Sequence, residues 1–271
     1  MSESSQRTDA PLSRAIALAR DAVAEAPAGL LTDFDGTISP IVTEPGLARL
    51  VTGADGALAA LAGQLEVVAV ITGRLPLETR KLTGVPGILI AGNHGMEWLE
   101  PEEAEPRPAP GAAPVSDRLD EVLGRLPEMP GVVPEHKGIS ASVHYRTAPD
   151  PDAARSAIVR ALGDVEDHGL RIGHGRMIVE VRPVGLGDKG SAARAIVERF
   201  GLRGVVVLGD DATDLDMFRA VDELRSAGRL RGAIIGVGGM AGEVLPALVA
   251  ASDVVLADPA EAAALLTALS R

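Results

Sequence analysis

Six short apolar runs carry no polar alternation, and each ends at or beside glycine or aspartate: GLLTDFD (29–35), EVVAVITG (66–73), GILIAG (87–92), GVVVLGDD (204–211), GAIIGVG (232–238) and DVVLAD (253–258). A strand with one wet face alternates, so runs of this kind need both faces covered. Stretches with helical spacing lie between or beside them, at 11–26, 54–63, 188–200, 214–227 and 260–270. Strands alternating with helices predict an α/β fold: a Rossmann-like parallel sheet core with helices on both faces. Aromatic residues make up only 2% of the chain, so its core has to be built from Ala, Val, Leu and Ile.

The rhythm breaks between residues 109 and 183. EPEEAEPRPAPGAAP (100–114), rich in Pro and Glu, reads as a linker. It leads into a helix at 115–126, two alternating strands within GVVPEHKGISASVHYR (131–146), a helix around 152–162, and the strand pair LRIGHG (170–175) and MIVEVRP (177–183). The expected organisation is a disordered tail over 1–10, a core over 11–108 and 184–271, and a small α+β domain over 109–183 inserted into it.

Charge narrows the partners. The chain has 26 basic and 38 acidic residues, a net charge of −12, which repels nucleic acid and anionic lipid. An anionic ligand then needs local positive charge or a metal. The absence of cysteine excludes thiol catalysis, disulfides and Cys-ligated zinc. No apolar run approaches the roughly 20 residues of a membrane span, and MSESSQRTDA has no signal core, so the expected location is cytoplasmic.

In open parallel sheets ligands bind beyond the carboxyl ends of the strands. Asp33 and Asp35 sit at such an end, as do Thr72, Asp210 and Asp211; Asp214 follows one turn later, and Lys189 opens a helix in GDKGSAARAI. Converging carboxylates repel one another unless a cation joins them, and an all-oxygen donor set suits Mg²⁺ with a phosphate-bearing ligand. If the strand continues, residues 33 and 35 project the same way. One carboxylate could then attack phosphorus while the other protonates the leaving alcohol and later activates water.

DFDGT, ITGR, GDKG and GDDATD, in that order, resemble the haloacid-dehalogenase-like phosphatase superfamily, and AGNHGMEW, PEHKGISASVHYR and MIVEVRPVGLGDKG are similar to the trehalose-6-phosphate phosphatase family. The resemblance runs from about residue 28 to 218. It implies hydrolysis of trehalose 6-phosphate through an aspartyl phosphate, with Asp33 as nucleophile and Asp35 as general acid and base. It further implies Mg²⁺ held by Asp33, Asp210 and the backbone carbonyl of Asp35, with Asp211 and Asp214 in support. Thr72 and Lys189 would hold the phosphoryl group, and the insertion would be a cap. Substrate contacts would fall to Gly73, Arg74, His94, Glu135, Lys137, His144, Arg146 and Glu180. A functional link to a trehalose-phosphate synthase is implied as well.

Other readings stand beside these. The family's glutamate after Asp214 is Leu215 here, which opens the choice of sugar: sucrose phosphate and glycosyl phosphoglycerates are alternatives. A non-enzymatic phosphate-receiving domain also gathers Asp, Thr and Lys at a sheet edge. Arg74 could form a salt bridge along a helix, His94 could stabilise a turn, and Glu135 with Lys137 could be a surface ion pair. Gly236, Gly238 and Ala241, with Asp258 further on, trace the outline of a dinucleotide-binding turn, which a glycine-rich turn at the sheet edge explains equally well.

Overall fold

The computed structural model describes residues 3–109, 116–175, 177–184, 187–238 and 245–271. In chain order the elements are α1 (Glu3–Val23), β1 (Ala28–Thr32), α2 (Ala54–Ala62), β2 (Val67–Ile71), α3 (Pro76–Thr83), β3 (Leu89–Gly92), β4 (Glu97–Leu99) and β5 (Arg107–Pro108). Then come α4 (Ser116–Leu123), β6 (Val133–His136), β7 (Ala141–His144), α5 (Pro151–Leu162), β8 (Leu170–Gly175) and β9 (Ile178–Pro183). The chain finishes with α6 (Lys189–Arg199), β10 (Gly204–Gly209), α7 (Asp214–Ser226), β11 (Arg231–Val237), α8 (Pro246–Ala251), β12 (Val254–Leu256) and α9 (Pro259–Leu269). Two compact units result: Met1–Arg107 with Gly187–Arg271, and Pro108–Leu186. Residues 110–114 of the expected linker lie outside the described residues.

The first unit is built on a sheet ordered β12-β11-β10-β1-β2-β3-β4-β5. The six apolar runs are its six parallel strands, and β4 runs antiparallel to β3. Their side chains divide between two apolar clusters. Leu30, Val68, Val206 and Ile235 pack with Ala15 and Ala19 of α1, Leu58 of α2 and Leu265 of α9. Leu31, Ala69, Val207 and Ile234 pack with Ile196 of α6, Phe218 of α7 and Leu248 of α8. Both faces are thus covered, which is why the strands tolerate no alternation. The sheet order reverses at β1, which lies between β10 and β2. That reversal opens the crevice in which such sheets place ligands.

One expectation fails at the N-terminus. α1 starts at Glu3, so most of the stretch expected as a disordered tail is helical. The helix runs through Pro11 and is anchored further along, where Ala15, Ala19 and Ala22 are fully buried.

The second unit is a four-stranded antiparallel sheet, β6-β7-β9-β8. Leu119 and Val122 of α4 and Ile158 of α5 pack on Ala141, Val143, Val179 and Val181. The alternate residues form a polar face, where Glu135, Ser142, Glu180 and Gly173 share one cross-strand row.

Two glycines test this packing from opposite directions. A Cβ at Gly204 would lie 2.1 Å from the Ala22 carbonyl oxygen, where α1 ends against β10. Gly204→Ala should therefore destabilise the fold by about 1–3 kcal/mol. Gly56 is inside α2 with open space around it, and Gly56→Ala should stabilise by about 0.5–1 kcal/mol. Urea unfolding midpoints of the two variants should move in opposite directions.

Candidate active site

Three neighbouring parallel strands end together. Asp33 follows β1, Thr72 follows β2 and Asp210 follows β10, and the Asp33 N–H still donates to the Leu208 carbonyl at 3.0 Å. Strand pairing stops at Thr32. The chain then folds into a tight loop: the Ile38 and Ser39 N–H groups donate to the Phe34 carbonyl, and Gly36 N–H donates to the Ser39 carbonyl. Phe34 and Ile38 are fully buried and pin the loop. Gly36 has φ +84, and a Cβ on it would stand 2.0 Å from an Asp210 carboxylate oxygen. No other residue meets both conditions, left-handed backbone and close approach.

Lys189 is the hub. Asp188 caps α6 in a reciprocal capping box with Ser191, which fixes Lys189 at the helix's first position. Its Nζ donates to Asp33 Oδ1 at 2.8 Å and to Asp214 Oδ1 at 2.7 Å, with only 3% of the side chain exposed. The other oxygen of Asp214 accepts the N–H groups of Asp210 and Asp211 at 2.9 and 3.0 Å. Asp211 Oδ1 accepts from the N–H and hydroxyl of Thr213, shaping the start of α7. Thr37, which carried no role in the sequence reading although it belongs to DFDGT, donates its hydroxyl to Asp210 Oδ1 at 3.2 Å.

Carboxylate oxygens of Asp33, Asp210 and Asp214 come within 4.8 Å of one another. Burial pushes the Asp33 carboxyl well above its ordinary range, opposed by Lys189. Burial, with Asp33 and Asp214 adding to it, pushes Asp210 up to about 9. Asp214 is raised to about 6, mainly by burial against the pull of Lys189. Burial would raise Asp211 too, but Lys189 and the bonds from Thr213 outweigh it and leave that group lowered. Burial acts to lower the Lys189 ammonium, yet Asp214 and Asp33 hold it well above its ordinary value. One ammonium cannot keep this many buried carboxylates ionised. The donor set, oxygen throughout and short of positive charge, fits a hard divalent cation.

Asp35 departs from expectation. Because the strand ends before it, its carboxylate does not join that of Asp33. It is gripped through both oxygens by Arg74, at 2.6 Å from Nε and 2.8 Å from Nη2. Arg74 also donates to Glu78 at 2.5 Å and lies over the Phe34 ring, 5.5 Å from its centre. Asp214, expected in support, takes the place among the clustered carboxylates that the spacing of DFD suggested for Asp35. Glu78 was not anticipated, although it stands one helical turn after Arg74.

Thr72 is buried, and its hydroxyl accepts from the Arg74 N–H at 3.2 Å. The His94 N–H donates to the Thr72 carbonyl and the Asn93 N–H to the Arg74 carbonyl, both at 2.8 Å. Asn93 and His94 have φ 50 and 58, and the His94 ring lies where a Cβ on Gly73 would be, 2.8 Å away. ITGR and GNHG are therefore one interlocked double turn. In the second unit, Glu135 Oε2 meets His144 Nε2 at 2.9 Å and Lys137 Nζ at 3.7 Å, Glu180 is buried on the same polar face, and Arg146 is exposed in the turn after β7.

Two further residues find their places. Leu215 packs against the apolar cluster of α6 and α7. Asp258 caps α9, accepting from Ala260 and Glu261, so it has a structural task; Ala241 of the dinucleotide outline lies outside the described residues. No helix among the described residues is long and apolar enough to cross a membrane.

A model of the trehalose-phosphatase family matches residues 31–235. A trehalose-phosphate phosphatase of Mycobacterium avium is 40% identical over 229 residues, 80% of this chain and 56% of that protein. One from Mycobacterium marinum is 38% identical over 198 residues, 70% of this chain and 50% of that one. The chain thus spans about half the length of these relatives. Among solved structures, the C-terminal domain of the C. albicans trehalose-6-phosphate phosphatase superposes with a TM-score of 0.79 at 22% identity, covering 94% of this chain and 96% of that one, and shares the fold. With the family matched from the end of β1 to β11, the chain belongs to the trehalose-phosphatase family.

Proposed function

We propose that the protein is a Mg²⁺-dependent phosphatase that converts trehalose 6-phosphate to trehalose and phosphate through an aspartyl phosphate on Asp33. The observation that carries this reading is the Lys189 bridge, which fixes Oδ1 of a buried Asp33 whose carboxylate clusters with those of Asp210 and Asp214. Asp33, Asp210 and the backbone carbonyl of Asp35 would hold the cation, with Asp214 adjoining and Asp211 shaping the loop. A bound Mg²⁺ would neutralise the repulsion between an attacking carboxylate and an incoming phosphate.

The Asp33 carboxylate bonds to phosphorus as the bond from phosphorus to the sugar oxygen breaks, and Asp35 gives that oxygen its proton. Asp35 then takes a proton from water, whose oxygen attacks phosphorus and releases Asp33. For this role Asp35 exchanges its two-oxygen contact with Arg74 for the leaving group. Thr72, Gly73 and Lys189 line the place of the transferred phosphoryl group, and the double turn carrying His94 supports it. Glu135, Lys137, His144, Arg146 and Glu180 supply groups suited to sugar hydroxyls. A trehalose-phosphate synthase as supplier and a cytoplasmic setting belong to the same reading.

The packing of Leu215 supports a second reading, a different phosphosugar, because no carboxylate stands at that position. Ranking trehalose 6-phosphate, sucrose phosphate and glucosyl phosphoglycerate by kcat/KM decides between them. A preference of more than about tenfold, or 1.4 kcal/mol, for another sugar would overturn trehalose 6-phosphate as the substrate. Asp33→Asn should lower steady phosphate release by at least about a thousandfold, and chelation should abolish it reversibly; full turnover in Asp33→Asn would exclude the covalent route.

Proton linkage gives a test without turnover. With Asp210 pushed up to about 9, the cation-free fold holds a proton that the unfolded chain has lost. That stabilisation is complete below the ordinary carboxylate range and disappears as pH rises through about 9. A cation displaces the proton, so it binds more tightly as pH rises. The gain in Tm from a fixed Mg²⁺ concentration should be larger at pH 9 than at pH 6.

A further inference from the structure

Arg171 and Arg182 stand directly opposite one another on β8 and β9. Residues so paired share a face, and like charges there repel. Their face is the polar one, since the alternating Leu170, Val179 and Val181 point into the unit's apolar cluster. The Nε of each guanidinium is buried without a hydrogen-bond partner. An unsatisfied buried donor costs about 1–3 kcal/mol, and this pair holds two of them side by side.

Little compensates for this charge. Arg182 Nη2 reaches Glu180 Oε2 at 3.5 Å, and among the described residues no ion pair reaches Arg171. The arrangement is conspicuous in a chain with 38 acidic and 26 basic residues, where partners of the opposite sign are plentiful. Gly173 contributes space: a Cβ there would lie 2.8 Å from Arg182 Nη2, so its absence lets that guanidinium lie down over β8. The Arg182 side chain is left only 12% exposed.

We propose that Arg171 and Arg182 form a binding site for a small oxyanion, a phosphate or carboxylate group. Two planar guanidinium forks match such a group's geometry. An anion on the pair would offset the repulsion between the two guanidinium groups. The site uses none of the residues around Asp33, all of which belong to the other unit. The oxyanion is either free in solution or the charged arm of a larger phosphosugar.

Sulfate, which is not turned over, is the probe. The full chain is titrated calorimetrically with sodium sulfate in cation-free buffer, chloride keeping ionic strength constant. The phosphoryl site is the same in wild type and in Arg171→Gln, so a difference between them belongs to the pair. Arg171→Gln should weaken one sulfate-binding event about tenfold or more, and Arg171→Lys should fall between. β8 is an edge strand, so Arg171→Gln leaves the sheet order intact, which an unchanged circular dichroism spectrum verifies. Sulfate binding equal to wild type in a folded Arg171→Gln overturns the proposal. Kinetics identify the source. A raised KM for glucosyl phosphoglycerate alone, with trehalose 6-phosphate unaffected, assigns the site to the ligand's carboxylate arm. Unchanged KM for both, with weakened sulfate binding, assigns it to a free oxyanion.

Discussion

A single buried ammonium organises the edge of the sheet at which β1 and β10 end. Lys189 holds Asp33 with one bond and Asp214 with another, and Asp214 in turn receives the backbone N–H groups that shape the loop after β10. Strand end, helix start and loop are thus tied through one nitrogen atom. Removing one partner from a buried charge pair of this kind typically costs about 3–5 kcal/mol. The residues clustered at this edge are therefore also part of the fold's stability.

The same cluster is deliberately incomplete as an electrostatic unit. Asp33, Asp210 and Asp214 crowd together with too little positive charge, and burial drives their proton affinities upward. Protons relieve that crowding at the cost of the carboxylates' charge, whereas a divalent cation relieves it while leaving them ionised. The parallel sheet makes this possible by reversing its order at β1, so that chain segments more than a hundred residues apart end side by side.

The parallel sheet was legible because burial on both faces erases alternation, and each of the six runs kept that signature. β4 escaped notice: Glu97, Trp98 and Leu99 are too few to show any period and follow directly on the GNHG turn. The DFD spacing misled for a physical reason. Period-two reasoning holds only while the strand is paired, and pairing ends at Thr32. The partner that captures Asp35 lies 39 residues on, beyond the reach of local pattern. Taken alone, Lys189 shows only that it opens a helix; its place in GDKG distinguishes it, and its burial reflects contacts with residues 156 and 25 positions away. The N-terminal stretch has no apolar pattern of its own, and its helical turns continue from a helix anchored by Ala15, Ala19 and Ala22.

The chain's single tryptophan stands in β4, just after the interlocked double turn. Trp98 Nε1 donates to the Gly95 carbonyl at 2.9 Å, and a Cβ on Gly95 would touch Ala192 and the Asp188 carbonyl at the start of α6. The indole is thus wired to the helix turn that presents Lys189. Its emission, excited selectively at the red edge of the absorption band, is a built-in optical gauge of that turn, and ligand arrival can be timed by fluorescence with no label attached.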